Sequence, residues 1–67
     1  MSKEQTQGEV FKAARLAKKL TQVEVAEKVG IHWNTYAKME RDEQDPTFPN
    51  LKKIAKVLDL DLNKLPD

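Results

Sequence analysis

The sequence has no cysteine, only two glycines and only four aromatic residues among its 67. Without cysteine it can form neither a disulfide framework nor a thiolate metal site. Packing alone must stabilise the fold, which suits a reducing cytosol. No apolar run approaches the about 20 residues of a membrane span, and no signal peptide is expected. We therefore expect a cytoplasmic protein without a metal or a cofactor.

The chain is too short to enclose a large catalytic cleft. We expect one domain over residues 1–67, with an ordered core at about 7–65, and such a domain buries only roughly 60% of the surface of its unfolded chain. His32 is the only histidine and cannot share a metal with a second one, and no serine, histidine and acid form a convincing catalytic set. These observations predict that the protein is not an enzyme.

Residues that favour helices, such as Ala, Leu, Lys, Glu and Gln, fill the stretches between the glycines and prolines, and no strand-like alternation is sustained. The sequence therefore predicts an all-α fold with five helices, at about residues 7–19, 22–29, 32–39, 48–58 and 62–65. Helix 1 has a broad apolar stripe of Val10, Phe11, Ala13, Ala14, Leu16 and Ala17. Helix 4 has the clearest amphipathic pattern, because its apolar residues recur at i, i+3, i+4 and i+7 from Leu51.

Several residues mark where these helices begin and end. Thr21 and Glu24 have the T-x-x-E spacing of a capping box at the start of helix 2. Gly30 can adopt the positive φ with which a helix often ends. Thr47 is expected to cap helix 4, and Asp61 to cap the last short turn.

Residues 22–41 have the features of a helix-turn-helix. Ala26 supplies the small residue that is needed where the two helices cross, and Gly30 tolerates the left-handed turn. Apolar residues that can fill the angle between the helices are Val25, Val29, Ile31, Tyr36 and Met39. Each of these features has a separate geometric reason, so together they favour this motif strongly.

Five stretches resemble the phage repressor and Cro, or XRE-type, helix-turn-helix family: LTQ at 20–22, EKVGI at 27–31, MER at 39–41, DPT at 45–47 and LKKIAKVL at 51–58. The resemblance covers about residues 8–65. It implies a compact five-helix repressor-like domain that binds double-stranded DNA as a homodimer. Helix 3 would enter the major groove of a pseudo-palindromic operator, and the protein would regulate transcription as a repressor or controller.

The resemblance also implies roles for individual residues. Contacts with bases are expected from Trp33, Asn34 and Lys38. Contacts with phosphates are expected from Gln22, His32, Thr35 and Arg41. A structural ion pair is expected between Arg15 and Glu40. The dimer contact is expected from Leu60, Leu62 and Leu65, and Tyr36 should lie in the core with its hydroxyl reaching solvent.

The chain departs from the family pattern at two places. His32 stands where Ser or Thr commonly caps the recognition helix, and Asp42 stands where Gly is frequent. Asp42 and Glu43 would repel a phosphate, so the loop at 41–45 should not be a main phosphate clamp, apart from Arg41 and Gln44. This acidic loop leaves an alternative open, namely a protein-binding module of the same fold, such as an antitoxin that masks a toxin.

The net charge of +1 is small for a protein that binds nucleic acid. It averages two unequal parts. Residues 1–41 contain six Lys and two Arg against five Glu, and residues 42–67 contain four Lys against six acidic residues, giving +3 and −2. The positive part contains helices 1 to 3 and is expected to face DNA, with few phosphate contacts per monomer.

Overall fold

The computed structural model describes residues 5–65, which form four α-helices, one 3-10 turn and no strand. The helices are α1 (Gln7–Ala17), α2 (Gln22–Val29), α3 (Trp33–Glu40) and α4 (Phe48–Leu58), and the 3-10 turn is Leu62–Lys64. The all-α prediction is confirmed, but the count of five helices is not, because the predicted fifth helix is only a 3-10 turn that ends one residue earlier than expected. Leu65 is already extended, with φ −77° and ψ 141°, because the residue before a proline is disfavoured in helical conformation.

Threonine hydroxyls cap the starts of three of the four helices, α1, α2 and α4. The Thr21 hydroxyl accepts from the Glu24 amide at 3.0 Å, and the Glu24 carboxylate accepts from the Thr21 amide at 2.8 Å, so the predicted capping box is confirmed. Thr47 caps α4 as predicted. A second capping box, Thr6 with Glu9, begins α1. It has the same T-x-x-E spacing, and the sequence analysis missed it.

Left-handed residues end the first two helices. Gly30 has φ +91°, and its amide donates to the Ala26 carbonyl at 2.8 Å. The predicted end of helix 1 was two residues too late, because Lys19 adopts φ +59° and the chain turns there towards α2.

One apolar core joins the four helices. Its buried members are Phe11, Val25, Ala26, Val29, Tyr36, Met39, Ile54 and Leu58. The apolar stripe predicted for α1 was too broad, because only Phe11 is fully buried. Leu16 is 56% exposed, and Ala13 and Ala17 are also exposed.

The start of α1 lies directly against the end of α3. Gly8 is buried there, and a Cβ atom at this position would clash with the Glu40 carbonyl oxygen and lie 2.6 Å from that of Met39. Only a residue without a side chain allows the two helices to approach this closely. This contact fixes α1 against the C-terminal end of the helix that carries the predicted DNA-binding residues.

Candidate nucleic-acid interface

The start of α3 presents its polar and aromatic side chains to solvent. His32 is the N-cap, and its Nδ1 accepts from the Asn34 amide at 3.1 Å. His32 and Asn34 are exposed, Trp33 is 48% exposed, and Thr35 is half-buried. The structure therefore brings four of the predicted DNA-contacting residues together in one turn of helix.

Lys38 extends this surface by one turn. It is exposed and lies four residues after Asn34, so the two side chains share one face of α3. The opposite face of α3 is buried through Tyr36, Ala37 and Met39. Packing along this whole face holds the exposed face in a fixed orientation.

A buried ion pair joins α1 to the end of α3. Arg15 Nε and one terminal nitrogen donate to the two Glu40 carboxylate oxygens at 2.7 and 3.1 Å. Another Arg15 nitrogen donates to the Leu20 carbonyl at 2.9 Å. Because the guanidinium binds the carboxylate through two parallel hydrogen bonds, the geometry of the pair is well defined.

The pKa values of Glu40 and Tyr36 follow from burial and from the neighbouring side chains. Burial alone would raise the pKa of Glu40, but hydrogen bonds, chiefly from Arg15, outweigh it and lower that pKa below its ordinary value. Burial raises the pKa of the Tyr36 phenol, and the neighbouring Glu40 raises it further. The Tyr36 hydroxyl is buried without a well-formed hydrogen bond among the described residues, so the expectation that it reaches solvent was wrong.

Gln22 connects this cluster to the surface. Its side-chain amide nitrogen donates to Glu40 Oε1 at 3.1 Å, and the residue is half-buried at the first position of α2. This bond uses one of the two amide hydrogens of the Gln22 side chain and leaves its carbonyl oxygen unused. The predicted contact of Gln22 with a phosphate stays a prediction, but the residue clearly braces the end of α3.

Asp42 caps α1 and thus has a structural partner that the sequence analysis did not expect. Its Oδ1 accepts from the Gly8 amide at 3.0 Å, and its Oδ2 accepts from the Thr6 hydroxyl at 2.5 Å. Its backbone has φ +60°, a conformation that Asp tolerates better than most residues. No local signal in the sequence pointed to this contact, because Thr6 and Asp42 are 36 residues apart.

Arg41, which was predicted to contact a phosphate, pairs with an acidic neighbour in the free protein. Its guanidinium donates to the two Glu43 carboxylate oxygens at 3.1 and 3.2 Å, and both side chains are exposed. Exposed pairs of this kind are weak. A phosphate contact would therefore require only that Arg41 exchange Glu43 for the phosphate.

Three lysines line one groove of the surface. Lys18, Lys28 and Lys56 line an open groove with Leu20 and Val57, near the C-terminal ends of α1, α2 and α4. Cations at such ends interact favourably with the helix dipole. Lys18 and Lys28 belong to the positive part of the chain, and the expectation that this part faces DNA stays a prediction.

The C-terminal leucines differ in exposure. Leu60 and Leu65 are half-buried against the core, whereas Leu62 is 37% exposed. A more exposed apolar side chain lies elsewhere: Phe48, at the start of α4, is 67% exposed, with the Lys52 ammonium 5.6 Å from its ring centroid. Phe48 was not among the predicted site residues.

Two kinds of site have no structural basis in the part of the chain that is described. Residues 5–65 contain no group of three His, Asp or Glu side chains that could hold a metal ion. None of the helices in this range has the length and apolar character that crossing a membrane requires.

Comparison with known sequences finds a matching family model and two phage repressors that are similar to the chain. A sequence model described as helix-turn-helix matches residues 11–65. The chain is 35% identical over 60 residues to the immunity repressor protein of Bacillus phage phi105, covering 90% of this chain and 42% of that protein. It is 40% identical over 45 residues to the cryptic phage CTXphi transcriptional repressor RstR of Vibrio cholerae, covering 67% of this chain and 40% of that protein. The chain thus spans less than half the length of these relatives.

Solved structures show the same fold. The P22 c2 repressor protein, in complex with the synthetic operator 9T in the presence of Tl+, has a TM-score of 0.83 and 29% identity, covering 87% of this chain and 88% of that one. SinR of Bacillus subtilis, the master regulator for biofilm formation, in complex with DNA, has a TM-score of 0.82 and 32% identity, covering 92% and 100%.

Proposed function

Because the chain belongs to the helix-turn-helix family of the phage repressor and Cro, or XRE, type, we propose that it is a sequence-specific DNA-binding transcriptional regulator. One observation carries this proposal: the exposed start of α3 sits on a helix whose other face is fully packed. Among residues 5–65, the side-chain amide of Asn34 and the Lys38 ammonium take part in no hydrogen bond, and only the backbone N–H of Asn34 donates to His32. Their hydrogen-bonding groups remain available to bases.

The chemistry of each residue suits its proposed role in the major groove. Asn34 can pair with N6 and N7 of adenine, and Lys38 can donate to O6 or N7 of guanine. Trp33 can pack on a thymine methyl group or a sugar. Phosphates would be bound by Gln22, His32, Thr35 and Arg41, and by the free amides in the first turn of α2, since a helix N-terminus favours anions.

A homodimer would place two such helices in successive major grooves, about 34 Å apart, on a pseudo-palindromic operator. We propose that the dimer contact includes Leu60, Leu62 and Leu65. The exposure of Leu62 supports a contact there. Leu60 and Leu65 also pack against the core, so we expect them to contribute less to the dimer contact than Leu62.

The alternative function, a protein-binding module such as an antitoxin, drew on the acidic loop at 41–45. In the structure Asp42 caps α1 and Glu43 pairs with Arg41. Two of the three acidic side chains of the loop therefore have partners within the chain, and the loop no longer favours an external protein partner.

Selection of binding sites from random duplexes, repeated at several salt concentrations, tests the proposed function. We expect an enriched motif with two related half-sites, and an affinity that falls steeply as salt rises, because phosphate contacts release counterions. Enrichment of a single half-site would contradict the dimer. No enrichment at any salt concentration would contradict sequence-specific binding and favour the alternative.

A further inference from the structure

The His32 side chain makes two contacts at the start of α3, one with each of the next two residues. Its Nδ1 accepts from the Asn34 backbone amide at 3.1 Å. Its ring stacks on the Trp33 indole, with 5.8 Å between the ring centroids and 29° between the planes. The cap bond fixes the histidine ring, and the fixed ring lies against the indole.

The cap bond also determines where the ring proton lies. A nitrogen that accepts a hydrogen bond carries no hydrogen, so the neutral ring must carry its proton on Nε2. The capped ring is therefore a single tautomer with one outward donor.

The Trp33 indole stands at the first position of α3 and is 48% exposed, so a neighbouring side chain is needed to restrict its rotamer. An indole with this much solvent around it can change rotamer unless a neighbour restricts it. Stacking at this centroid distance is within the range in which aromatic pairs attract each other. The surface described above offers Trp33 no other aromatic neighbour among residues 5–65.

We propose that His32 is a positioning residue, which holds the Trp33 indole at the start of α3 as the Nε2–H tautomer and so sets the selectivity for a thymine methyl group. The part that concerns selectivity rests on the proposed function. Ser at position 32 would keep a cap but remove the ring, so His32→Ser separates the two contacts. His32→Ala removes both, and Trp33→Ala removes the indole alone.

Nuclear magnetic resonance of the whole chain without DNA tests the positioning. We expect long-range 15N spectra to show a protonated Nε2 and an unprotonated Nδ1 in His32. The indole N–H of Trp33 should be ordered in the natural sequence and more mobile in His32→Ser, while the backbone of α3 keeps its order. A proton on Nδ1, rapid exchange between tautomers, or an indole equally ordered in both proteins would overturn the proposal.

Selected duplexes with thymine replaced by uracil at one position at a time test the selectivity. Loss of one buried methyl group corresponds to about a fourfold change in affinity. We expect such a loss at one position for the natural sequence, less than twofold for His32→Ser, and none for Trp33→Ala. A fourfold loss in His32→Ser, or none in the natural sequence, would overturn this role. The spectra need no DNA, so failure of DNA binding itself would be recognised separately.

Discussion

The two ends of α3 use their polar residues in opposite ways. At its C-terminal end, the Glu40 carboxylate is buried and bonded to Arg15 and Gln22, and Asp42 just beyond closes onto the start of α1. At its N-terminal end, Trp33 and Asn34 point their side chains into solvent. The C-terminal end is bonded to the rest of the protein, and the N-terminal end is exposed to solvent.

This difference shows that charge beside a recognition helix does not by itself reveal where a phosphate binds. Asp42 and Glu43, which follow α3, looked repulsive to phosphate in the sequence, yet Asp42 serves as a helix cap and Glu43 pairs with Arg41. Because such bonds hold the C-terminal end of α3 against the rest of the protein, its N-terminal end can be held rigidly. The following changes test whether the two ends are separable in this way.

Arg15→Ala should lower the free energy of unfolding most, because it removes the ion pair at the C-terminal end of α3. It leaves the Glu40 carboxylate buried without its partner, and breaking a buried pair typically costs about 3–5 kcal/mol. We expect urea unfolding to show this loss, or the variant to be unfolded outright. Arg41→Ala is the matched control, since it removes an exposed pair and should cost about 0–1 kcal/mol. Equal losses of unfolding free energy in the two variants would show that the buried pair stabilises the fold no more than the exposed pair does.

Gly8→Ala tests how tightly α1 approaches the end of α3. Helix propensity alone would make the substitution stabilising by about 0.4–1 kcal/mol. The clash of a Cβ with the carbonyl oxygens of Glu40 and Met39 should instead make it destabilising, by about 1–3 kcal/mol. Thermal unfolding gives the sign directly, and a higher midpoint than that of the natural sequence would show that the helices are not in close contact.

Asp42→Ala distinguishes a helix cap from a charge that repels DNA. Loss of a cap should lower the free energy of unfolding by about 0.5–2 kcal/mol. The affinity for a selected duplex, measured below the unfolding transition, should not rise. Asp45→Ala, in the same loop, controls for loss of one negative charge. A clear rise in affinity specific to Asp42→Ala would mean that its carboxylate faces a phosphate after all.

Acid should lower the free energy of unfolding by weakening the contacts of Glu40 at the C-terminal end of α3. The pKa of Glu40 in the folded protein lies below the ordinary value of 4.5, so its contribution to stability is complete above that value and is lost as the pH falls through the folded pKa. Glu40→Gln should therefore unfold with a shallower dependence on pH below about 4.5. Urea titrations between neutral and acidic pH measure this slope, and an unchanged slope would exclude Glu40 as a source of acid sensitivity.

Local signals made much of this fold predictable. The capping box at Thr21, the cap at Thr47 and the glycine at position 30 depend on neighbours within a few residues, and all three lie where the sequence indicated. Exposed residues at the start of α3 could be found by their place in the motif. The long-range partners could not, because the closure of Asp42 on Thr6 joins residues 36 apart in sequence.

The stack of His32 on Trp33 escaped the sequence for a different reason. Both residues were identified as candidates, but each was considered alone, and a cap formed by an imidazole is less common than one formed by a hydroxyl. Side-chain geometry was needed to show that one histidine serves both as cap and as neighbour of the indole.

The affinity of Asn34→Ala for a selected duplex and for an unrelated duplex, at one salt concentration, tests most directly whether the free end of α3 reads DNA sequence. The account predicts a loss of about 1–3 kcal/mol on the selected duplex, no loss on the unrelated one, and an unchanged free energy of unfolding. Equal losses on both duplexes would contradict it.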